Sequence, residues 1–326
     1  MMDDNAILVD AFRRHVADIA TPEAIRSVEK TGAVATMWQG LSESGFLDAA
    51  VPEAAGGAGL GMPEIFPLLL ALGEHIVPIP FGESMVARGM VSALGGVVPD
   101  GAMIALAPTS TLIPGGAYAT HALIERDGLL ALVPSSPAGD DIFGAGGTTA
   151  LKLQEPIWST PTIGEQLLLG AAATVSAQMA GAMARILDMT LRHASDRQQF
   201  GRALGKFQAI QQQVAVLAEQ VISAQVAARM AFTGDSFDLA RVAAAKCRTN
   251  EAANAACAIA HAVHGAIGAT EEFDLQLYTR RLKQWQLAYG SESYWAVRLG
   301  QERQSSGLSS TADFLRLRLA HLEPTA

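Results

Sequence analysis

Arg197 heads the segment Arg-Gln-Gln-Phe-Gly-Arg-Ala-Leu-Gly-Lys-Phe-Gln, residues 197–208. A guanidinium presents a planar fork of donors that matches phosphate oxygens, and it cannot lose its charge, so such an arginine suits a bound phosphate. Pairing with Asp196 or with solvent is its other use. Further on, His264-Gly265-Ala266-Ile267-Gly268 places glycines where backbone must take positive φ or let a ligand come near. His261 and His264 lie three apart, but no third and fourth ligand accompanies them, and they read as ordinary residues at a helix end rather than a metal site. Glu271, Glu272 and Glu292 are carboxylates of the kind that takes protons, and the same residues also suit turns and ion pairs. Cys247 and Cys257, ten apart, match neither a disulfide framework nor a metal spacing and read as reduced core residues.

Such groups need rigid elements to hold them. No proline interrupts the chain between Pro161 and Pro324, and a helical bundle is predicted over 161–326. Within it Ile210, Val214, Leu217 and Val221 recur at three- and four-residue steps, which predicts one buried helical stripe. An N-terminal helical domain is predicted over 1–100, with Trp38, Leu41, Phe46 and Leu47 as apolar positions and a glycine-rich turn at 56–61. Pro22 opens one of its helices and Pro63 another, where the missing N–H has no intrahelical partner to lose. Between them, over 101–160, short β-like runs at 103–106, 121–124 and 129–133 alternate with Pro114-Gly115-Gly116 and Ala145-Gly146-Gly147. The fold class is therefore mainly α with a small β insert between two helical parts.

Composition narrows the function. The net charge of −9 and pI near 5.3 argue against nucleic acid as a partner, because phosphate binding relies on clustered Lys and Arg. The longest apolar stretches, 167–173 and 255–260, are short and Ala-rich, so no bilayer-spanning segment and no membrane partner are expected. The first twenty residues open with Asp3 and Asp4 and lead to no small-residue cleavage site, so a secretory leader is not expected and a cytoplasmic protein is. Half the residues are hydrophobic and 17% are charged, which suits helices packing against other subunits as well as an Ala-rich helical protein standing alone.

Residues 197–211 resemble the acyl-CoA dehydrogenase motif of Arg, two variable residues, Phe-Gly, then a Gln in the next helix. The run from His264 to Leu275, with Tyr278 and Arg280-Arg281 after it, is similar to the family's Gly-Gly-x-Gly turn in the version of short bacterial subunits. A looser likeness covers Trp38, Leu41, Gly45-Phe46-Leu47, Val51-Pro52-Glu53, Gly56-Gly57, Gly59-Leu60, Leu72-Gly73 and Pro80-Phe81. The resemblance implies an acyl-CoA dehydrogenase-like fold with FAD as cofactor and an acyl-CoA as substrate. It implies that Arg197 reaches the pyrophosphate of an FAD held mainly by a neighbouring subunit. Gln199, Phe200 and Gln208 then pack and bond around that cofactor, and Gly265 and Ala266 lie by its adenine end.

The resemblance also marks what is missing. Family members carry a longer β domain, with Thr-Glu, Gly-Ser-Asp and Trp-x-Thr or Trp-x-Ser segments that touch the flavin ring. Residues 102–157 contain none of these, and Trp158 stands at the region's edge. A chain with this shortened β domain is not expected to enclose a flavin ring alone. The reaction needs a carboxylate to take the α-proton of the thioester while the β-hydrogen leaves as hydride to flavin N5. The family's Tyr-Glu-Gly-Thr position falls at Tyr289, followed by Gly290-Ser291, and its second base position falls near Ala171. Neither is a carboxylate, and the catalytic residue stays unassigned. The resemblance thus points to the smaller subunit of a heteromeric, α2β2 acyl-CoA dehydrogenase whose second subunit supplies the base. A homo-oligomer with a displaced Glu and a flavin-free structural subunit are the alternatives. Short heteromeric members often act on bulky acyl groups, which implies fatty acid or steroid side-chain oxidation.

Overall fold

The computed structural model describes residues 4–108, 113–144, 146–162 and 164–320; Ala145 of the expected glycine cluster, Asp3 and Pro324 lie outside them. The N-terminal helices are α1 (Asp4–Ile19), α2 (Pro22–Thr31), α3 (Ala35–Ser42), α4 (Met62–Glu74) and α5 (Phe81–Ala93). Helix α2 shows why these boundaries fall where they do. The Thr21 hydroxyl accepts from the Ala24 amide, Pro22 occupies the first turn, and Gly32 ends the helix at φ 69°. Pro63 likewise sits in the first turn of α4, whose Glu64 carboxylate accepts from the Gly61 amide.

The β insert is a single sheet. Strand β1 (Ile104–Ala107) runs parallel to β2 (His121–Arg126), and β2 is antiparallel to β3 (Leu129–Pro137). Strands β4 (Leu151–Leu153) and β5 (Trp158–Pro161) both pair antiparallel with β3. The β2–β3 turn is Asp127-Gly128 at φ 54° and 75°, the pair of positive angles that a tight hairpin turn needs to follow the strand twist. The three β-like runs correspond to β1, β2 and β3, and the sheet ends with β5 at Pro161, one residue past the expected boundary.

Helix α6 (Gln166–Asp196) is the spine of the molecule and packs on α4, α7 and α8. Its crossing with α4 is close because glycines meet backbone there. A Cβ at Gly73 would stand 2.0 Å from the Gln178 carbonyl oxygen, and one at Gly181 would stand 2.0 Å from that of Leu70. Among the described residues α6 is the helix long and apolar enough to cross a membrane, yet most of it is buried inside the protein, as the core helix of a helical bundle must be.

After α6 come a two-stranded hairpin, β6 (Gln198–Gln199) and β7 (Arg202–Ala203), then α7 (Gln208–Met230), α8 (Leu239–His264), α9 (Leu275–Leu287), α10 (Glu292–Ser305) and the short α11 (Thr311–Phe314). The fold is mainly α with a small β insert. One expectation needs correcting: on α7 Leu217 and Val221 are buried, but Ile210 and Val214 are only half-buried. The helix carries a second apolar face, with Val216, Ile222 and Val226 turned outward. Helical periodicity marks both faces and cannot say which one the rest of the chain covers. Both cysteines are free and lie on α8, Cys257 buried and Cys247 half-buried.

Candidate functional site

Arg197 leaves α6 in extended conformation at φ −72°, ψ 120° and starts the β6–β7 hairpin. The Leu204 amide closes the hairpin's base by donating to the Arg197 carbonyl at 2.8 Å. At the tip, Phe200 and Gly201 take φ 53° and 79°. Glycine accepts such angles freely; a phenylalanine there costs about 1–2 kcal/mol. The Phe200 ring is also 90% exposed, touched at 6.1 Å by the edge-on ring of Phe207, over which the Arg202 guanidinium lies at 4.0 Å. Arg197, Gln199 and Gln208 are exposed too. The Arg197 guanidinium forms no ion pair with Asp196 and no hydrogen bond among the described residues. Gln208 is the first residue of α7, and the glutamine that ties this segment together is Gln211, which donates to the Gly205 carbonyl at 3.0 Å.

The second predicted turn begins where α8 ends. Gly265 takes φ 65°, ψ −146°, a region essentially closed to residues with a Cβ, and its amide donates back to the His261 carbonyl. Gly265 and Ala266 are exposed, whereas Gly268 is buried so tightly that a Cβ would stand 2.9 Å from that of His264. The two turns are joined by rings: His193, in the last turn of α6, stacks on His264 with centroids 4.3 Å apart, and Phe273 lies 5.1 Å from His264. His261 instead meets the Thr279 hydroxyl at 3.0 Å, and no cluster of three potential metal ligands occurs among the described residues.

The six predicted cofactor residues thus lie exposed on two turns at linked helix ends. An uncommitted guanidinium beside a turn whose Gly265 would meet nothing within 4 Å even with a Cβ is a donor set that fits a diphosphate.

The interior is different. Tyr289, at φ 57° just after α9, is buried, and its hydroxyl donates to the Leu106 carbonyl of β1 at 2.9 Å. Its own carbonyl accepts from Trp295 Nε1 at 2.8 Å. Burial, with Glu83 nearby, pushes the phenol well above its ordinary value, so it stays protonated. Ala171 is buried in α6. Glu271 and Glu272 are exposed ahead of α9, and Glu292 sits in the first turn of α10.

Sequence reasoning missed a carboxylate that is placed inside. Glu83 of α5 is buried, and burial raises its pKa to about 7 against the opposing pull of a Gln178 hydrogen bond and the Arg281 charge. Arg281 is itself committed, pairing with Glu29 at 2.8 Å and donating to the Val77 carbonyl at 3.2 Å. What remains between Pro78, Pro80, Glu83, Gln178, Arg281 and Trp285 is a cavity of about 10 Å³, room for one water at most. The available signal was a lone Glu in the otherwise uncharged run from Val77 to Ala87. On the far side of Trp285, buried Lys246 donates to the Asn250 side chain at 2.7 Å and to the Trp285 carbonyl at 2.8 Å, fixing the end of α9.

Residues 162–300 match the family described as acyl-CoA dehydrogenase, C-terminal domain. Over 291 residues the chain is 28% identical to acyl-CoA dehydrogenase IpdE2 of Mycolicibacterium smegmatis, covering 86% of this chain and 93% of that protein. Its fold matches a chain of the ChsE4-ChsE5 complex from Mycobacterium tuberculosis with a TM-score of 0.78 at 21% identity, covering 94% of this chain and 99% of that one. PigA with FAD and proline matches with a TM-score of 0.76 at 16% identity, again covering 94% and 99%.

Proposed function

We propose, from the premise that this chain belongs to the acyl-CoA dehydrogenase family, that it is the smaller subunit of a heteromeric acyl-CoA dehydrogenase and completes the FAD site of a different, catalytic subunit. The observation that carries this reading is Tyr289. At the position where the family base is expected, the chain has a buried phenol that is bonded to the Leu106 carbonyl and kept protonated by burial. Such a group cannot take the α-proton of a thioester. The groups that face outward are those of a half-site, and the likeness to a chain of the two-component ChsE4-ChsE5 complex supports a second subunit.

Bound FAD supplies the hydride acceptor. This chain's part is positional. Arg197 holds the diphosphate charge, the Gly265 turn admits the adenine end, and Phe200 with the outward face of α7 meets the subunit that owns the cofactor. The second reading is a homo-oligomer with a displaced base; Glu271, Glu272 and Glu292 are its candidates, because they lie outside the closed interior and a base must reach the substrate proton.

Flavin content separates the two. Expressed alone, the folded chain is expected to bind little FAD; co-expressed with the catalytic subunit, it should form a yellow complex. In that complex Arg197→Ala should weaken FAD by about ten- to hundredfold, the loss of a bond to a charged group worth roughly 1.5–3 kcal/mol, and Lys should restore only part. Stoichiometric flavin in the solitary chain, with activity lost when one of Glu271, Glu272 and Glu292 is changed to Gln, would establish the homo-oligomer instead.

A further inference from the structure

The two exposed turns are tied by the His193–His264 stack, which no role assigned above uses. His193 precedes Arg197 by one helical turn, and His264 directly precedes Gly265. Their rings lie 4.3 Å apart at 27°, with Phe273 closing the group at 6.2 Å from His193 and 5.1 Å from His264. His264 is 5% exposed, and its Nδ1 lies 2.8 Å from the Ala260 carbonyl, so the proton of the neutral ring sits on Nδ1. Its Nε2 is buried and unpaired in the neutral ring, with the Met189 backbone placed to accept from it once it carries a proton. A fully buried nitrogen left unpaired, next to a turn built for close approach, is a group that a proton or a ligand would satisfy.

We propose that the His193–His264 pair is the positioning element of the cofactor half-site and takes up one proton when an FAD diphosphate occupies it, so that the half-site grips FAD more tightly in acid. This rests on the half-site reading of Arg197 and Gly265. Two imidazoliums in one stack repel, which limits the pair to a single proton. Burial is the main opposition to protonation and keeps both rings neutral in the free chain near neutral pH. Three charged or titratable groups outside the pair act on it. Arg197 opposes protonation of His193 and Asp196 favours it; His261 opposes protonation of His264, as does His193, while the Ala260 and Met189 backbone bonds favour it. A diphosphate beside Arg197 cancels that cation's effect and adds negative charge. The ends of α6 and α8 also favour a cation, through their unpaired carbonyls. By linkage, FAD affinity then falls as pH rises, by at most about tenfold per pH unit.

The test uses the flavin-loaded assembly the chain forms and reads FAD dissociation constants by flavin fluorescence at pH 6, 7 and 8. The FAD diphosphate diester does not titrate in that range. Wild type should lose at least about threefold in affinity from pH 6 to pH 8, and the double variant His193→Phe with His264→Gln, which keeps a ring in the stack and a donor at the Ala260 carbonyl but no titrating imidazole, should lose none of it. Imidazole proton resonances of wild type should shift toward the charged form when FAD is added. If Arg197→Ala leaves affinity unchanged, the half-site reading fails. If Arg197→Ala weakens FAD but the pH profile of the double variant matches wild type, the half-site stands and the proton coupling is wrong.

Discussion

The Tyr289 hydroxyl donates a 2.9 Å hydrogen bond to the Leu106 carbonyl and so ties the turn after α9 to the first strand of the sheet. The bond joins residues 183 apart in sequence at the point where the reaction's base is expected. Tyr289→Phe removes the donor and leaves a buried carbonyl short of a partner. The chain should lose about 1–2 kcal/mol in urea unfolding, while the flavin content of the assembly stays at the wild-type level. A loss of flavin out of proportion to the loss of stability would mean that this interior still holds cofactor.

Phe200 offers a trade between stability and assembly. Asn-Gly is the favoured pair for a two-residue hairpin turn with both φ angles positive, so Phe200→Asn relieves backbone strain without opening a cavity. The solitary chain should become more stable by up to about 1 kcal/mol. Its affinity for the second subunit should fall, because the exposed ring is then gone from the contact. Calorimetry of the chain alone and analytical ultracentrifugation of the mixture check the two halves, and undiminished assembly would remove Phe200 from the interface.

Glu83 and Lys246 predict opposite pH dependences of stability. The folded pKa of Glu83 is raised from 4.5 to about 7, so the folded state holds the proton more tightly. Its contribution is fully present below pH 4.5 and is lost as pH rises to 7. Lys246 is lowered from 10.5 to about 7, so the folded state prefers the neutral amine and gains stability as pH rises from 7 to 10.5. Glu83→Gln should flatten the acidic limb and be more stable than wild type at pH 8 by on the order of 1–3 kcal/mol, and Lys246→Met should flatten the alkaline limb. Urea midpoints across this range decide it, and a Glu83→Gln profile parallel to wild type would place the titration elsewhere.

What could be read from the sequence was local. Pro22, Pro63 and the Asp127-Gly128 turn act within a few residues, and the Arg197 and Gly265 segments carry their meaning in their own order. The closed interior was not legible, because it depends on pairs such as Arg281 with Glu29, 252 residues apart. Glu83 looked like any acidic residue until its neighbours from α6 and α9 were in place. The stack of His193 on His264 joins two helix ends that no periodicity links. Helix α7 misled for a related reason: a helix with two apolar faces has one stripe for its own chain and another that a single sequence leaves without an owner.

Ala171, near the start of α6, and Arg197, just past its end, lie about 39 Å apart along the helix axis at 1.5 Å per residue. The rigid rod of α6 therefore separates a buried segment at one end from the exposed hairpin at the other. Substitutions that refill the interior leave the hairpin's own sequence and turn geometry untouched, so the two ends of the rod are free to change at different rates.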